Sequence, residues 1–170
     1  TVFLSILGIS WFWFVGALVL AQLPAWTRGV LDGDAGVVTL LIACFSFGIG
    51  VGSLLCERLS GHKVEIGLVP FGSIGLSWFL LDLYLARPAD LGGATLGWTD
   101  FLRAPGGLRI ALDCALVGVS GGLFTVPLYA LIQQRSEMAY RARTIACNNV
   151  MNAIFMVLAS IGAVLCLRAG

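Results

Sequence analysis

Residues 2–26 contain no Asp, Glu, Lys or Arg, and an apolar run of that length has few places to go in a soluble fold. A hydrocarbon core of about 30 Å takes about 20 residues of α-helix. Only a helix or a closed barrel satisfies every backbone N–H and C=O in that medium. The run is therefore predicted to be a spanning helix. Four more follow at about 36–56, 66–86, 108–132 and 145–167, separated by connectors that hold nearly all the charge. Only Asp82, Arg109 and Asp113 intrude into the spans. The expected fold class is an all-α membrane protein, with five transmembrane helices and short loops forming one bundle over 1–170.

Hydrophobic residues make up 59% of the chain and charged residues 11%, in keeping with most of it lying in lipid. Ten Lys/Arg against nine Asp/Glu leave a net charge of +1, which gives no basic field for nucleic acid. Cys44, Cys56, Cys114, Cys147 and Cys166 have no CxxC spacing and fall in or beside apolar segments, so they read as small packing residues. No metal or cofactor is expected. The chain opens on Thr1, and its first apolar run has no basic leader and is too long for a signal-peptide core; we read it as part of a longer protein.

Positive charge near helix ends orients a membrane protein. Connectors 57–65 and 133–144 carry Arg58, Lys63, Arg135, Arg141 and Arg143, whereas connectors 25–35 and 87–107 set Arg28, Arg87 and Arg103 against Asp32, Asp34, Asp90 and Asp100. The basic set is predicted to face the cytoplasm. The long connector 87–107, rich in Gly and Pro and carrying Trp98, reads as an irregular outer loop touching the interface.

Gly48, Gly50 and Gly52 lack the strand, the following helix or the Lys-Ser/Thr of a nucleotide-binding loop. Gly48 and Gly52 form instead a GxxxG face for close helix packing, with a bending or gating role as the alternative. On the fourth span, Arg109, Asp113 and Ser120 fall within about 40° of one another on a helical wheel, with Pro127 on the same stripe, while Gly118, Gly122, Thr125 and Tyr129 lie opposite. A charge in the membrane costs at least about 2.5 kcal/mol, so Asp113 needs a partner or a wet cavity, and Arg109 one turn away is the nearest candidate. That pair either orients helices or handles substrate or protons. Asp82 shares a stripe with Gly75 and Trp78 and is either interfacial or functional. Asn148, Asn149 and Asn152 either bond across helices or line a cavity. Gln22, on a stripe with Gly8 and Trp11, is a candidate head-group contact, and Trp11 and Trp13 read as packing residues. His62, the sole histidine, has no Asp five residues later, and neither GxSxG nor HExxH occurs. The expectation is that this chain is not an enzyme.

After the second span the sequence reads Gly52-Ser-Leu-Leu-Cys-Glu57-Arg58-Leu-Ser-Gly61-His62-Lys63. This resembles the signature loop of the major facilitator superfamily, although Glu57 and Gly61 each come about a residue late and the paired bases are reduced to His62 and Lys63. Three longer stretches, CERLSGHKVEIGLVPFGSIG over 56–75, VPLYALIQQRSE over 126–137 and ACNN over 146–149, look like the lysophospholipid transporter branch. They look closest to transporter domains fused to an acyl-carrier-protein-dependent phospholipid acyltransferase. The resemblance implies helices 7 to 11 of twelve, hence five helices of a six-helix half-bundle working by alternating access against an absent N-terminal half. It implies a bacterial inner membrane location, lysophospholipid as substrate and membrane lipid as surroundings. It also implies fused acyltransferase and acyl-ACP synthetase domains elsewhere in the parent, and a loop of Gly52, Glu57, Arg58, Gly61 and Lys63 that latches one conformation. An exporter of drugs or small amphiphiles, and a membrane anchor for fused enzymes, are the alternatives.

Overall fold

The computed structural model describes residues 2–61, 64–86 and 95–169, and these form an all-α membrane protein. His62, Lys63, Arg87 and Asp90 lie outside the described residues. Five helices are long and apolar enough to cross a bilayer: α1 (Val2–Val30), α2 (Ala35–Leu59), α3 (Leu68–Leu85), α5 (Gly107–Arg135) and α6 (Arg141–Ala169). A short sixth, α4 (Trp98–Arg103), lies between α3 and α5. At 1.5 Å per residue α3 is about 27 Å long and α5 about 43 Å.

α5 is the central pillar. It packs along α2 and α3 and meets α1, which in turn carries α6. The α2 contact is set by glycine on both helices. A Cβ at Gly48 or Gly52 would land on the Ala115 or Val119 carbonyl of α5, and one at Gly118 on the Phe45 carbonyl of α2. Gly122 lies equally close to the Gly52 and Ser53 backbone. Such a crossing brings two backbones into van der Waals contact, the interaction that drives helix association where lipid is as apolar as the side chains.

The ends of the helices follow from local chemistry. Asp34 caps α2, its side chain accepting from the Val37 N–H at 3.0 Å. Gly61, at φ +55°, takes the left-handed position after the Ser60 cap, where a side chain would be strained. Ahead of α5, Pro105 is followed by Gly106 at φ +89° and by Gly107, whose missing Cβ leaves room for the Phe101 carbonyl.

The described part of connector 87–107, from Thr95 on, departs from the expectation of an irregular loop. Besides α4, it pairs with the α1–α2 turn: Asp34 N–H donates to Leu96 O at 3.0 Å and Leu96 N–H to Asp32 O at 2.7 Å. Phe101 on α4 is fully buried against Leu31, Val37, Leu41 and Ile110. Its burial anchors the segment as a plug over that end of the bundle, while Trp98 stays exposed.

Candidate functional site

Arg109 stands within one turn of the start of α5, and Asp82 within one turn of the end of α3. Antiparallel packing of these helices brings the two to one level. Arg109 binds Asp82 along one edge of its planar guanidinium, Nε to Oδ2 at 3.1 Å and Nη2 to Oδ1. The sequence singled out Asp113 as the nearest partner; the structure gives that place to Asp82, because Arg109 leans across the helix interface rather than along its own helix. Asp113 is buried, with 5% of its surface exposed. It stands one helical turn from Arg109 on α5. Its Oδ2 has no partner among the described residues. Ser120 is on the same stripe but does not join the cluster: its hydroxyl donates to the Leu116 carbonyl at 2.7 Å and packs where Gly75 of α3 leaves space. The α3 stripe of Gly75 and Asp82 thus lies against the α5 stripe of Ser120 and Arg109.

A second polar group is neutral and joins three helices. Ser10 on α1 donates to Asn152 Oδ1 on α6 at 2.9 Å. Asn152 Nδ2 donates to the Tyr129 hydroxyl of α5 at 3.4 Å, and Trp13 Nε1 reaches the same oxygen at 3.4 Å. Asn148 is buried, donates to Asn149 Oδ1 at 3.5 Å, and has its own Oδ1 unpartnered among the described residues. Asn149 is exposed and Gln22 half-buried, and Gln22 belongs to neither group.

Between α1, α2, α3 and α5 lies a cavity of about 260 Å³ with an almost wholly apolar wall. Trp11, Phe12 and Gly16 of α1 face Leu76 and Leu80 of α3 across it. It runs to Leu83 and Cys114, the chain neighbours of Asp82 and Asp113. Trp11, expected to be packing, is instead more than half exposed, lines this cavity and stacks on Phe14 at 5.2 Å.

The loop expected to latch one conformation is less tightly drawn together. Gly52 belongs to the α2–α5 crossing, Glu57 and Arg58 are exposed in the last turn of α2, and Gly61 serves the turn that follows. Sequence reasoning missed Ser10 as a bonding partner and placed Tyr129 on a small-residue face. Asp82 could have been matched to Arg109 by depth alone, since both lie a turn from the same end of adjacent spans. The described cysteines, Cys44, Cys56, Cys114 and Cys147, are free thiols.

No protein-family model matches the chain. No solved structure matches it either. Among characterised proteins, the lysophospholipid transporter LplT of Yersinia pestis (strain Pestoides F) is 28% identical over 149 residues, covering 86% of this chain and 32% of that protein. LplT of Yersinia pseudotuberculosis serotype O:3 gives the same figures. The multidrug resistance protein MdtH of Aeromonas hydrophila is 34% identical over 88 residues, 50% of this chain and 20% of that protein. The chain therefore spans about a third of the length of the LplT proteins and a fifth of MdtH. It is a multi-pass membrane protein similar to membrane transporters.

Proposed function

We propose that the chain is the C-terminal half of a major facilitator transporter that carries lysophospholipid across the bacterial inner membrane for reacylation. On this reading the five spans are helices 7 to 11, rocking against an N-terminal half, and an acyltransferase fused in the same parent would use the returned lipid. The carrying observation is the junction of an apolar cavity with a charged cluster. A single-chain phospholipid has an acyl tail and a head bearing a phosphate. The cavity offers the tail a wall of Leu, Phe and Trp, and Arg109, 59% exposed in its side chain, offers a guanidinium suited to phosphate oxygens. The likeness to LplT over most of the chain supports the same substrate.

Gly16 provides the test. It lines the cavity, and a Cβ built there meets nothing within 4 Å, so the side chain of Gly16→Leu starts from open space and fills the cavity; a thermal melt of the variant checks that it folds. In the full-length protein, uptake of long-chain lysophospholipid into spheroplasts should fall several-fold, and short-chain analogues should suffer less. Equal uptake by variant and parent at every chain length would remove the cavity from the pathway. A second reading, export of apolar drugs, is favoured by the stretch shared with MdtH; resistance that follows expression, with no lysophospholipid uptake, would select it.

Orientation is tested separately. In a background without other cysteines, a cysteine at Ser136 should resist an impermeant thiol reagent added to intact cells, and one at Thr95 should react. The opposite pattern reverses the topology.

A further inference from the structure

We propose that α4 is a removable stopper: it closes the apolar cavity at the end of the bundle that carries the α1–α2 turn, and a water-soluble molecule reaches the cavity from that end only when Phe101 leaves its seat. At that end the cavity wall takes one residue from each of four helices, Leu23 of α1, Leu41 of α2, Leu83 of α3 and Cys114 of α5. All four belong to, or pack against, the apolar cluster that holds Phe101. Phe101 is the largest fully buried side chain among the described residues, and it is the only buried residue of α4. The biggest piece of that seal therefore comes from a short segment between two spans, and not from the spans themselves. Elsewhere the cavity opens sideways between α1 and α3, where Trp11, Leu20 and Ser77 line it and are exposed.

The attachment of α4 suits a part that comes away as a unit. Six residues are far too few for a helix to be stable by itself, so α4 stays in place through what it touches. Ahead of it, Leu96 makes two backbone bonds to the α1–α2 turn, and Leu96 and Leu102 are partly buried against the cluster. Its one deep anchor is the Phe101 ring, and its seat is Gly107, where a side chain would strike the Phe101 carbonyl. Gly97 and Ala104 on either side are extended, and Gly106 has a positive φ, so both joints can turn while α5 stays wound. Segments held by one anchor open at a fraction of the cost of global unfolding. Seated, the ring keeps water from the end of an apolar cavity; unseated, it leaves that end open beside the first turn of α5, which carries Arg109. The stopper needs the cavity and not the identity of what the cavity carries.

The experiment uses the full-length protein in lipid nanodiscs with Cys114 as its only native cysteine, a charged, water-soluble thiosulfonate as probe, and peptide mass spectrometry to follow modification of Cys114. That thiol lines the cavity and is buried, so it should react slowly. Phe101→Ala should react at least about tenfold faster, because deleting a buried ring favours the open form. A second variant keeps Phe101. A Cβ built on Gly97 stands 4.0 Å from Oδ2 of Asp34, so Asp34→Cys with Gly97→Cys can be bridged, tying the segment to the α1–α2 turn. Cys114 should then react at least about tenfold more slowly with the bridge oxidised than with it reduced and the reductant removed. Both forms lack the Asp34 cap, so its loss does not enter the comparison. Equal rates at Cys114 in the oxidised and reduced forms overturn the proposal, whether or not Phe101→Ala folds, and so does a folded Phe101→Ala that reacts no faster than its parent. Absence of lysophospholipid uptake would defeat the transport reading and leave both labelling results standing.

Discussion

Two polar regions lie in this bundle, and they differ in whether their charges balance. At the C-terminal end of α3 and the N-terminal end of α5, Asp82, Asp113 and Arg109 put two acids against one base. Along the seam of α1, α5 and α6, Ser10, Trp13, Tyr129 and Asn152 are all neutral and bond to one another. An excess charge in a medium of low dielectric responds strongly to a proton or an arriving ion. A neutral network held by long hydrogen bonds responds mainly to where its helices stand. On the function proposed above, the first region would meet the ligand and the second would hold three helices in register.

Arg109→Gln breaks the first region most severely. It removes the cation and leaves both carboxyls, so an anionic head group loses its only described counter-charge there. Uptake of lysophospholipid by the full-length protein should drop about tenfold or more, the scale of losing a charge-assisted contact. Lysine at the same position should restore less than half of the rate, because an ammonium cannot reproduce the planar fork. Unchanged uptake in Arg109→Gln would mean the charged region is structural and would collapse the contrast between the two regions.

Much of this was legible in the sequence for physical reasons that can be named. The spans stand out because lipid permits so few backbone solutions that an apolar run of 25 residues leaves little choice. The glycines of α2 and α5 were legible as close-packing residues, since a small residue in a span has few other uses. Their partners were not: that Gly48 meets Ala115 while Gly118 meets Phe45 depends on rotation and offset between helices, which no local pattern encodes. The same limit hid the Arg109–Asp82 pair. A helical wheel ranks neighbours along one helix, so it chose Asp113, while the guanidinium's reach let it cross to α3. The plug at α4 was missed because the Gly- and Pro-rich connector gave no apolar period, although Phe101 and Leu102, an apolar pair between Asp100 and Arg103, carried the hint.

The smallest effect is expected in the seam, from Tyr129→Phe. The Tyr129 hydroxyl oxygen accepts from both Trp13 and Asn152, each at 3.4 Å, near the outer limit for such bonds. Removing it deletes two weak contacts while the ring and its packing remain. Hydrogen bonds between membrane helices average only about 0.6 kcal/mol, because the separated helices find other partners for the same groups. Tyr129→Phe should therefore lower unfolding free energy in detergent by about 1 kcal/mol and change uptake less than twofold. Asn152→Leu should cost more, since it also strands the Ser10 hydroxyl, which is buried and donates to Asn152. Combined with Tyr129→Phe, its cost should be less than the sum of the two, because both substitutions delete the same Asn152–Tyr129 bond. Strict additivity in that cycle, or a loss of uptake in Tyr129→Phe as large as in Arg109→Gln, would show that the neutral seam is not one network or that it is not separate from the charged cluster.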